Sequence, residues 1–582
     1  MFRTLACFCL LVGTVHAQEP DQGQDAIRLN QVGFYPEGPK TAVVVGAETG
    51  AFEVRPVGGG AAVVTGTLGA ERTWDASGET VRQADFSSLT APGLYEVAVE
   101  GVGVSHPFRV GRAVHDGVAR AALKAYYYQR ASTELGAAHA GPWARAAGHP
   151  DTLVLVHASA ATAGRPEGTA LSAPKGWYDA GDYNKYVVNS GITIGTLLSL
   201  YEWSPAYAAA LDVGIPESGD GVPDLLDEVL WNARWMLDMQ DEDGGVYHKL
   251  TSADFSGEVS PASDAATRYV VQKSTPATLD FAAVMAQGSR VVAGFPDAFP
   301  GLADSMRTAA LDAWAWARAN PSVRYDQRAL NAAFDPDVTT GEYGDAQFDD
   351  ELDWAAMELF VTTGADSFLT VTRPLDPIEF GTPSWGGVRE LGYFSLLAHR
   401  GDVASAVDTT RLKDALTTLA DRLVERVETS PYGVSMEAAD FYWGSNSVAA
   451  NHGVALVLAY RLTGEARYLD AATAALDYLL GRNATGYSFL TGVGTKTPLH
   501  PHHRPSRALG QDPRFRAGPV PGLLAGGPNP GRQDGCAYPS ALPAQAYLDD
   551  WCSYASNEIA INWNAPLVHL AASVEAARQG GH

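Results

Sequence analysis

The chain has 582 residues, of which 46% are hydrophobic, and its formal net charge is −26. This length exceeds that of one ordinary domain, so we expect two or more folded units. The acidic composition argues against a partner made of nucleic acid, whose phosphates need basic patches, and against a role on anionic membranes. A neutral polymer would be indifferent to this charge.

The N-terminus has the pattern of a secretory signal peptide over residues 1–17. Arg3 supplies a positive charge, residues 5–15 are mostly apolar, and Val15-His16-Ala17 is a small-residue cleavage pattern. The apolar stretch is too short to span a bilayer. We therefore expect a secreted protein, extracellular or periplasmic, whose mature chain begins with a flexible lead-in at residues 18–25.

The mature chain would keep two cysteines, Cys536 and Cys552, because Cys7 and Cys9 leave with the signal peptide. Disulfides persist in oxidising compartments, so a bond between the two remaining cysteines is one expectation. Two unpaired thiols are the equal alternative.

Short β-strands are predicted from Ile27 to about Gly111. Runs of β-branched or alternating residues are separated there by turns that contain proline and glycine. The runs are residues 41–45, 52–54, 94–99 and 108–110. Strands at this spacing favour a small β-sandwich, which we place at residues 26–111.

After about Val114 the pattern changes to long amphipathic helices. In the clearest, residues 224–240, apolar side chains recur at helical spacing, and Pro223 lies where a helix start tolerates proline. Similar helices are predicted at residues 279–292, 352–363, 412–427, 448–462 and 468–480. Helices joined by long, aromatic and glycine-rich loops favour an α-barrel at residues 112–582, with a working face made of loops.

The loop Asp179-Ala180-Gly181-Asp182 holds two carboxylates three residues apart. The small residues between them allow a tight turn, so both acids could face one cavity and share a water molecule. Mutual repulsion would raise the pKa of at least one of them, which helps to make a base. A helix cap or a metal ligand is the commoner role of such a pair.

Glu558 lies where a C-terminal loop rich in aromatic residues enters an apolar helical stretch. A partly dry, aromatic setting would raise the pKa of Glu558, as a proton donor requires. The alternative is a glutamate that complements the helix dipole.

The segment from Lys496 to Arg504 combines three histidines with an arginine, and its prolines make it rigid. Fixed hydrogen-bond donors of this kind suit sugar hydroxyls. Zinc is the competing interpretation, although the spacing is not that of a helical histidine pair and no cysteine lies nearby.

Many of the 13 tryptophans and 24 tyrosines lie in predicted loops beside acidic residues. Such aromatic planes suit sugar rings, whose C–H faces stack on them, while core packing is the alternative for any single one. The candidates for sugar contacts are Tyr178, Trp443 and Tyr554.

Two acidic clusters are candidates for structural calcium, since hard oxygen ligands suit Ca²⁺. The first is a glycine-containing loop with Glu217, Asp220 and Asp224, where simple helix capping is the alternative. The second, before another predicted helix, includes Asp350 and Glu351 and has the same ambiguity.

Taken together and in order, these motifs resemble glycoside hydrolase family 9. Tyr178 to Tyr183 looks like that family's nucleophilic-water loop, residues 494–504 resemble its histidine signature, and Tyr547 to Ala565 resembles its acidic signature. Residues 27–34 are similar to the start of the immunoglobulin-like domain that precedes many bacterial members.

The resemblance implies an (α/α)₆ barrel and an inverting cleavage of β-1,4-glucan. In this scheme Asp182 activates water, Asp179 holds that water, and Glu558 protonates the leaving oxygen. Asp549 would support the site. The residues implied in binding glucosyl hydroxyls are His502 and Arg504.

Two positions depart from the family pattern. Relatives often carry a structural zinc before the aspartate loop, but Ala131 and Gly148 stand where thiolates would be expected, so we expect no zinc. Residues 384–387 also have glycine where many relatives place acids, which weakens the case for calcium at Asp350 and Glu351.

The sequence therefore predicts a secreted endo-β-1,4-glucanase of the cellulase type, acting as a monomer. An exo-acting cellodextrinase, β-glucosidase or glucosaminidase on the same scaffold is the alternative within enzymes. A catalytically silent glycan-binding protein and a calcium-dependent adhesion protein are the alternatives outside them.

Overall fold

The computed structural model describes residues 24–48, 50–372 and 375–580. The predicted signal peptide at residues 1–17 and most of the lead-in at 18–25 lie outside these ranges. Within them, no helix has both the length and the apolar character needed to cross a membrane.

The N-terminal part is a sandwich of two β-sheets. Its strands are β1 (Ile27–Arg28), β2 (Gly33–Phe34), β3 (Thr41–Val45), β4 (Ala51–Pro56), β5 (Val64–Thr67), β6 (Arg72–Trp74), β7 (Glu79–Asp85), β8 (Gly93–Val99), β9 (Gly103–Val104) and β10 (Phe108–Val110). One sheet has the order β1-β3-β7-β6, and the other has the order β2-β10-β8-β4-β5 with β9 on β8. Phe34 packs edge-on against both Phe86 and Phe108 in the core between them. The predicted immunoglobulin-like sandwich is confirmed.

The remainder of the chain is mainly helical. Its helices are α1 (Asp116–Gln129), α2 (Ala137–Ala140), α3 (Val187–Trp203), α4 (Pro205–Ala210), α5 (Asp224–Asp238), α6 (Thr275–Val292), α7 (Leu302–Ala319), α8 (Gln327–Asn331), α9 (Asp349–Thr363), α10 (Ser367–Thr372), α11 (Arg389–Ala398), α12 (Arg400–Val403), α13 (Thr409–Thr429), α14 (Ser445–Thr463), α15 (Ala466–Leu479), α16 (Arg504–Gly510), α17 (Tyr554–Asn557) and α18 (Ile561–Arg578). All six helices predicted from periodicity are present.

The helices form two layers, as an (α/α)₆ barrel requires. Helices α3, α6, α9, α11, α14 and α18 are buried on most sides. Among these inner helices, α3 packs against α6 and α18, α6 packs against α9, and α9 packs against α11. Outer helices such as α5, α13 and α15 bury one apolar stripe and expose the other face, which is why their periodicity is visible in the sequence. The predicted barrel is confirmed.

A small five-stranded sheet lies beside the barrel helices, and the sequence analysis did not predict it. Its strands are β11 (Val154–Val156), β12 (Ala170–Leu171), β13 (Lys185–Tyr186), β14 (Lys249–Thr251) and β15 (Tyr269–Val270), in the order β12-β11-β15-β14-β13. Strand β13 directly follows the aspartate loop and pairs with β14. The sheet therefore fixes the backbone immediately after Asp182.

The sandwich is hydrogen-bonded to the barrel. Asn30, between β1 and β2, donates from Nδ2 to Asp477 Oδ1 at 2.8 Å, and both side chains are buried. The Gln31 side-chain carbonyl accepts the backbone N–H groups of Thr495 and Lys496, each at 2.8 Å. The sandwich thus holds the start of the segment that carries the histidines.

Cys536 and Cys552 form a disulfide in the C-terminal part of the chain. Of the two alternatives that the sequence left open, the structure has the paired one. The bond links two loop segments that precede α17 and encloses a short stretch of chain.

Three segments that are far apart in the chain converge at one end of the barrel. We call them the aspartate loop (residues 178–183), the histidine loop (residues 496–504) and the C-terminal turn (residues 547–558). Backbone hydrogen bonds join them, from Arg504 N to Gly181 O at 3.0 Å and from His502 N to Asn557 O at 2.9 Å. This convergence leaves almost no space between the loops, because a Cβ atom on Gly181 would lie 2.1 Å from His502 O.

We expect Gly181→Ala to force the aspartate and histidine loops apart, since the added methyl group would overlap a backbone carbonyl that cannot rotate away. The loss should be about 1–3 kcal/mol, seen as a melting temperature a few degrees below that of the wild type. Gly117→Ala is the matched control, because Gly117 is exposed in α1 with open space around its Cβ position. A Gly181→Ala protein that melts like the control would contradict this account.

Candidate active site

A cleft of about 740 Å³ lies where the three segments converge. It brings together the predicted acidic residues Asp179, Asp182 and Glu558 with His502 and Arg504. Aromatic side chains make up much of the remaining wall, namely Tyr186, Phe255, Tyr343, Trp385, Tyr442, Trp443, Tyr554 and Trp563. The cleft therefore combines carboxyl groups with aromatic planes, as the sequence predicted.

Asp182 is 3% exposed and is held through one carboxylate oxygen. Asn184 Nδ2 donates to Asp182 Oδ2 at 2.5 Å, and the Tyr186 hydroxyl donates to the same oxygen at 3.2 Å. Donors of this kind favour the charged form of a carboxyl group. Because both donors meet Oδ2, they fix the orientation of the Asp182 carboxylate.

Asp179 is buried next to Asp182 and is also fixed by neutral donors. Asn189 Nδ2 donates to its Oδ1 at 2.5 Å, and the Tyr343 hydroxyl donates to its Oδ2 at 2.7 Å. Burial and the nearby charge of Asp182 raise the pKa of Asp179 to about 8. Below that pH Asp179 carries its proton.

Glu558 lies in the C-terminal turn, which is far from the aspartate loop in sequence but borders the same cleft. It is half-buried there. Burial, followed by the charge of Asp182, raises the pKa of Glu558 well above that of a free glutamate, and the Arg504 guanidinium acts in the opposite direction. The surroundings of Glu558 therefore favour its protonated form. A carboxyl group that retains its proton, beside other carboxyl groups of the same cleft, suits general acid–base catalysis.

His502 and Arg504 place fixed polar groups at the cleft. The His502 ring stacks on Trp551 with centroids 4.3 Å apart, and its Nδ1 lies 2.7 Å from Trp551 O, which directs Nε2 away from that contact. Arg504 donates to Gly181 O at 3.0 Å and to Ser256 O at 2.7 Å. These bonds prevent either side chain from swinging, so the predicted polar contacts to a ligand are preorganised.

Asp549 lies behind the histidine loop and does not line the cleft. Its carboxylate accepts the backbone N–H groups of Leu499 and His500 at 2.8 and 2.9 Å, and it also accepts from Asn557 Nδ2 at 3.1 Å. Asp549 therefore connects the histidine loop with the residue before Glu558. A supporting role for Asp549, which the resemblance implies, stays a prediction.

The aromatic candidates divide into two groups. Trp443 and Tyr554 are 38% and 36% exposed, and their rings lie 5.5 Å apart on the cleft wall, where Tyr442 adds another exposed ring. Tyr178, in contrast, is fully buried, and its hydroxyl bonds His149 Nδ1 at 2.8 Å. The prediction of a sugar contact for Tyr178 is wrong, because its ring packs beneath the aspartate loop.

The cleft residues that the sequence did not predict include two tyrosines that hydrogen-bond the aspartates. Tyr186 follows the aspartate loop, and its position four residues after Asp182 was the only available signal. Tyr343 lies 164 residues beyond Asp179 in sequence and has a backbone φ of 46°, a left-handed conformation that a tyrosine rarely adopts. No local pattern marks it, so only the fold brings its hydroxyl to Asp179.

The first calcium candidate is satisfied by protein groups. Arg130 donates to both oxygens of Glu217, at 2.9 and 3.0 Å. Asp220 accepts from Val222 N, and Asp224 accepts from Ser218 Oγ at 2.7 Å. An ion pair at Glu217 and hydrogen bonds within the loop at Asp220 and Asp224 therefore account for these carboxylates. Helix α5 has no side-chain cap hydrogen bond, so the capping that the sequence left open is not their role. Glu217 in particular faces a guanidinium rather than a metal ion.

The second calcium candidate has a different environment. Glu351 is fully buried beside Asp280 of α6, and none of the four carboxylate oxygens of these two residues has a hydrogen-bond partner. Burial and the neighbouring carboxylates raise the pKa of Glu351 to about 11. Asp350 is held by Val388 N at 2.8 Å. Unpaired hard oxygen atoms suit a calcium ion, although no three acidic or histidine side chains in the described ranges form a ready-made metal site.

The region where zinc was considered is filled by side-chain contacts. His149 uses both ring nitrogens, with Tyr178 on Nδ1 and Asp264 on Nε2 at 3.2 Å. A Cβ on Gly148 would lie 2.4 Å from the backbone of Pro261. The residues present therefore do not fit a closed tetrahedral zinc site.

Comparison with known proteins agrees with this arrangement. The model of glycosyl hydrolase family 9 matches residues 115–571, and that of the cellulase N-terminal Ig-like domain matches residues 22–104. A xyloglucan-specific endo-β-1,4-glucanase of Bacteroides ovatus is 45% identical over 99% of this chain and 98% of its own length. Endoglucanase C of Cellulomonas fimi is 35% identical over 96% of this chain and 52% of its own.

A solved structure of a family 9 protein from Bacteroides ovatus superimposes with a TM-score of 0.89. The two chains are 44% identical, and the match covers 95% of this chain and all of the other. The matched family model spans both the aspartate loop and the C-terminal turn, so it includes every carboxyl group of the cleft. The chain belongs to glycosyl hydrolase family 9.

Proposed function

We propose that this protein is an inverting endo-β-1,4-glucanase, with Asp182 as the general base and Glu558 as the general acid. The observation that carries the proposal is the presence of both groups in one aromatic cleft, where burial favours the protonated form of Glu558 and hydrogen-bond donors fix the carboxylate of Asp182. Asp182 would take a proton from water at Oδ1, while Glu558 gives its proton to the leaving glycosidic oxygen. Tyr343 and Asn189 hold Asp179 beside that water.

Inversion is supported by the way in which Asp182 is held. A nucleophilic carboxylate would have to contact the anomeric carbon directly, whereas a base acts through a water molecule that needs space on the opposite face of the sugar. The pairing of Asp182 with a second carboxyl group, Asp179, favours a bound water between them. This arrangement therefore argues against a covalent intermediate on Asp182.

The endo mode of action is supported by the relatives whose names state it, the Bacteroides ovatus and Cellulomonas fimi enzymes. An exo-acting enzyme on the same scaffold remains the alternative. The exposed rings of Tyr442, Trp443 and Tyr554 supply planes on which glucosyl units can stack.

A branched β-1,4-glucan is a second candidate substrate. Similarity over nearly the whole chain to a xyloglucan-specific enzyme favours it. The backbone of such a glucan has the same β-1,4 bond, so the roles of Asp182 and Glu558 would be unchanged. Only the walls of the cleft would distinguish decorated from plain chains.

We also propose that the protein is secreted as a monomer. The support for secretion is the signal-peptide pattern of residues 1–17 and the disulfide between Cys536 and Cys552, since disulfides persist in oxidising compartments.

Glu558→Gln should lower kcat on cellohexaose by about 100-fold or more, because the amide cannot protonate the leaving oxygen. Binding should persist, since the amide has nearly the same shape. Steady-state kinetics and calorimetric titration measure the two effects, and Glu53→Gln, on an exposed strand of the sandwich, is the matched control. The wild type should release the α-anomer first by NMR. Near-normal turnover of Glu558→Gln, or initial release of the β-anomer, would refute these roles.

On carboxymethylcellulose and on xyloglucan, we expect viscosity to fall well before reducing ends accumulate, because internal cuts shorten a chain fastest. The ratio of the kcat/KM values for the two polymers then shows whether a plain or a branched β-1,4-glucan is the preferred substrate. Glu558→Gln, prepared in parallel, serves as the blank for contaminating activity. Release of small sugars at constant viscosity would establish the exo alternative instead.

We propose that a structural calcium ion binds at Glu351, with Asp280 and Asp350 as neighbouring ligands. The support is the set of buried carboxylate oxygens without partners, which would otherwise have to be protonated. A cation there would join α6 to the start of α9.

Removal of calcium with EGTA should lower the melting temperature of the wild type, because a ligand at a hundredfold excess over its Kd contributes about 2.7 kcal/mol. Glu351→Gln should melt at the same temperature with and without calcium. Asp349→Asn is the matched control, since Asp349 is exposed in the same helical turn, and it should keep the response. A wild type that does not respond to EGTA would rule out this site.

A further inference from the structure

Asn184 lies directly behind the proposed base. It is 1% exposed and occupies the turn between the aspartate loop and β13. Its Nδ2 donates to Asp182 Oδ2, and its backbone N–H lies 3.4 Å from the same oxygen. Asn184 therefore supplies two donors to one oxygen of Asp182, Oδ2.

The orientation of the Asn184 amide is fixed by groups that can only donate. Ser252 N donates to Asn184 Oδ1 at 2.9 Å, and Arg268 Nη1 donates to it at 3.3 Å. A flipped amide would set its NH₂ group against these donors and its carbonyl against the Asp182 carboxylate. Only the orientation with Nδ2 on Asp182 avoids both conflicts.

Arg268 is itself anchored and buried. Its Nε pairs with Asp151 Oδ1 at 3.2 Å, and its Nη2 donates to Tyr183 O at 2.9 Å. Asp151 also pairs with Lys185 Nζ at 2.7 Å, and both of these side chains are fully buried. The guanidinium therefore has a fixed place, from which its charge polarises the Asn184 amide.

We propose that Asn184 is a positioning residue for the base, and that the buried chain Arg268–Asn184–Asp182 fixes Oδ2 so that Oδ1 is directed to the attacking water. The inference rests on the proposed function of Asp182. A carboxylate can rotate about its Cβ–Cγ bond, and this chain prevents it. Aligned dipoles in a dry site need no reorganisation during the reaction, which is why such an arrangement increases the rate.

Asn184→Ala should lower kcat on cellohexaose by about 10- to 100-fold, the usual effect of losing a hydrogen bond to a charged group. KM should stay within about threefold of the wild-type value, because Asn184 does not contact substrate. Asn331→Ala is the matched control, since Asn331 has a half-buried amide that bonds only Val338 of its own loop.

Crystal structures of the wild type and Asn184→Ala provide a readout that needs no turnover. A rotated Asp182 carboxylate in the variant is the expected result. An unrotated carboxylate would overturn the inference, whether or not kcat falls. If Asn184→Ala does not fold, Asn184→Asp keeps the Oδ1 acceptor and the volume, and the same tests apply. A wild type that cleaves no β-1,4-glucan would instead refute the proposed function, and the two crystal structures would still decide the role of Asn184.

Discussion

Three carboxyl groups, Asp179, Asp182 and Glu558, share one cleft, and their charges repel one another. This repulsion makes the protonation of each depend on the others. Burial is the largest cause of the raised pKa of both Asp179 and Glu558, while hydrogen-bond donors hold the carboxyl groups of Asp179 and Asp182 in place. The close approach of these three acids is the constraint on which the chemistry of the cleft depends.

Three carboxyl groups in one cleft need rigid surroundings to stay in place, and several parts of the fold supply this rigidity. The inner helices of the barrel carry the loops, and the small sheet formed by β11–β15 fixes the backbone after the aspartate loop. Gly181 lets the aspartate and histidine loops touch, and Asp549 links the histidine loop to the C-terminal turn. The sandwich contributes through Gln31, which holds the start of the histidine loop. A domain remote from the cleft thus helps to define its geometry.

Repulsion and burial also act on the carboxyl groups of Asp280 and Glu351, but their surroundings differ from those of the cleft. There the carboxyl groups are buried without donors, so either protons or a cation must neutralise them. At Glu217 a third solution is present, a bidentate ion pair with Arg130. Acidic clusters that look alike in the sequence therefore differ in role. The difference is whether their carboxylates meet hydrogen-bond donors, an arginine side chain or no polar partner.

The sequence alone determined the two-unit organisation, six of the barrel helices and the principal acids, because these depend on local periodicity and on motifs such as residues 179–182. It did not reveal β13, which has only two residues, or helix α3, whose uniform burial removes any amphipathic stripe. Tyr343, the burial of Tyr178 and the contacts of Asn184 were decided by tertiary structure. Each of these features depends on contacts between segments that are distant in the chain, and local sequence patterns do not specify such contacts.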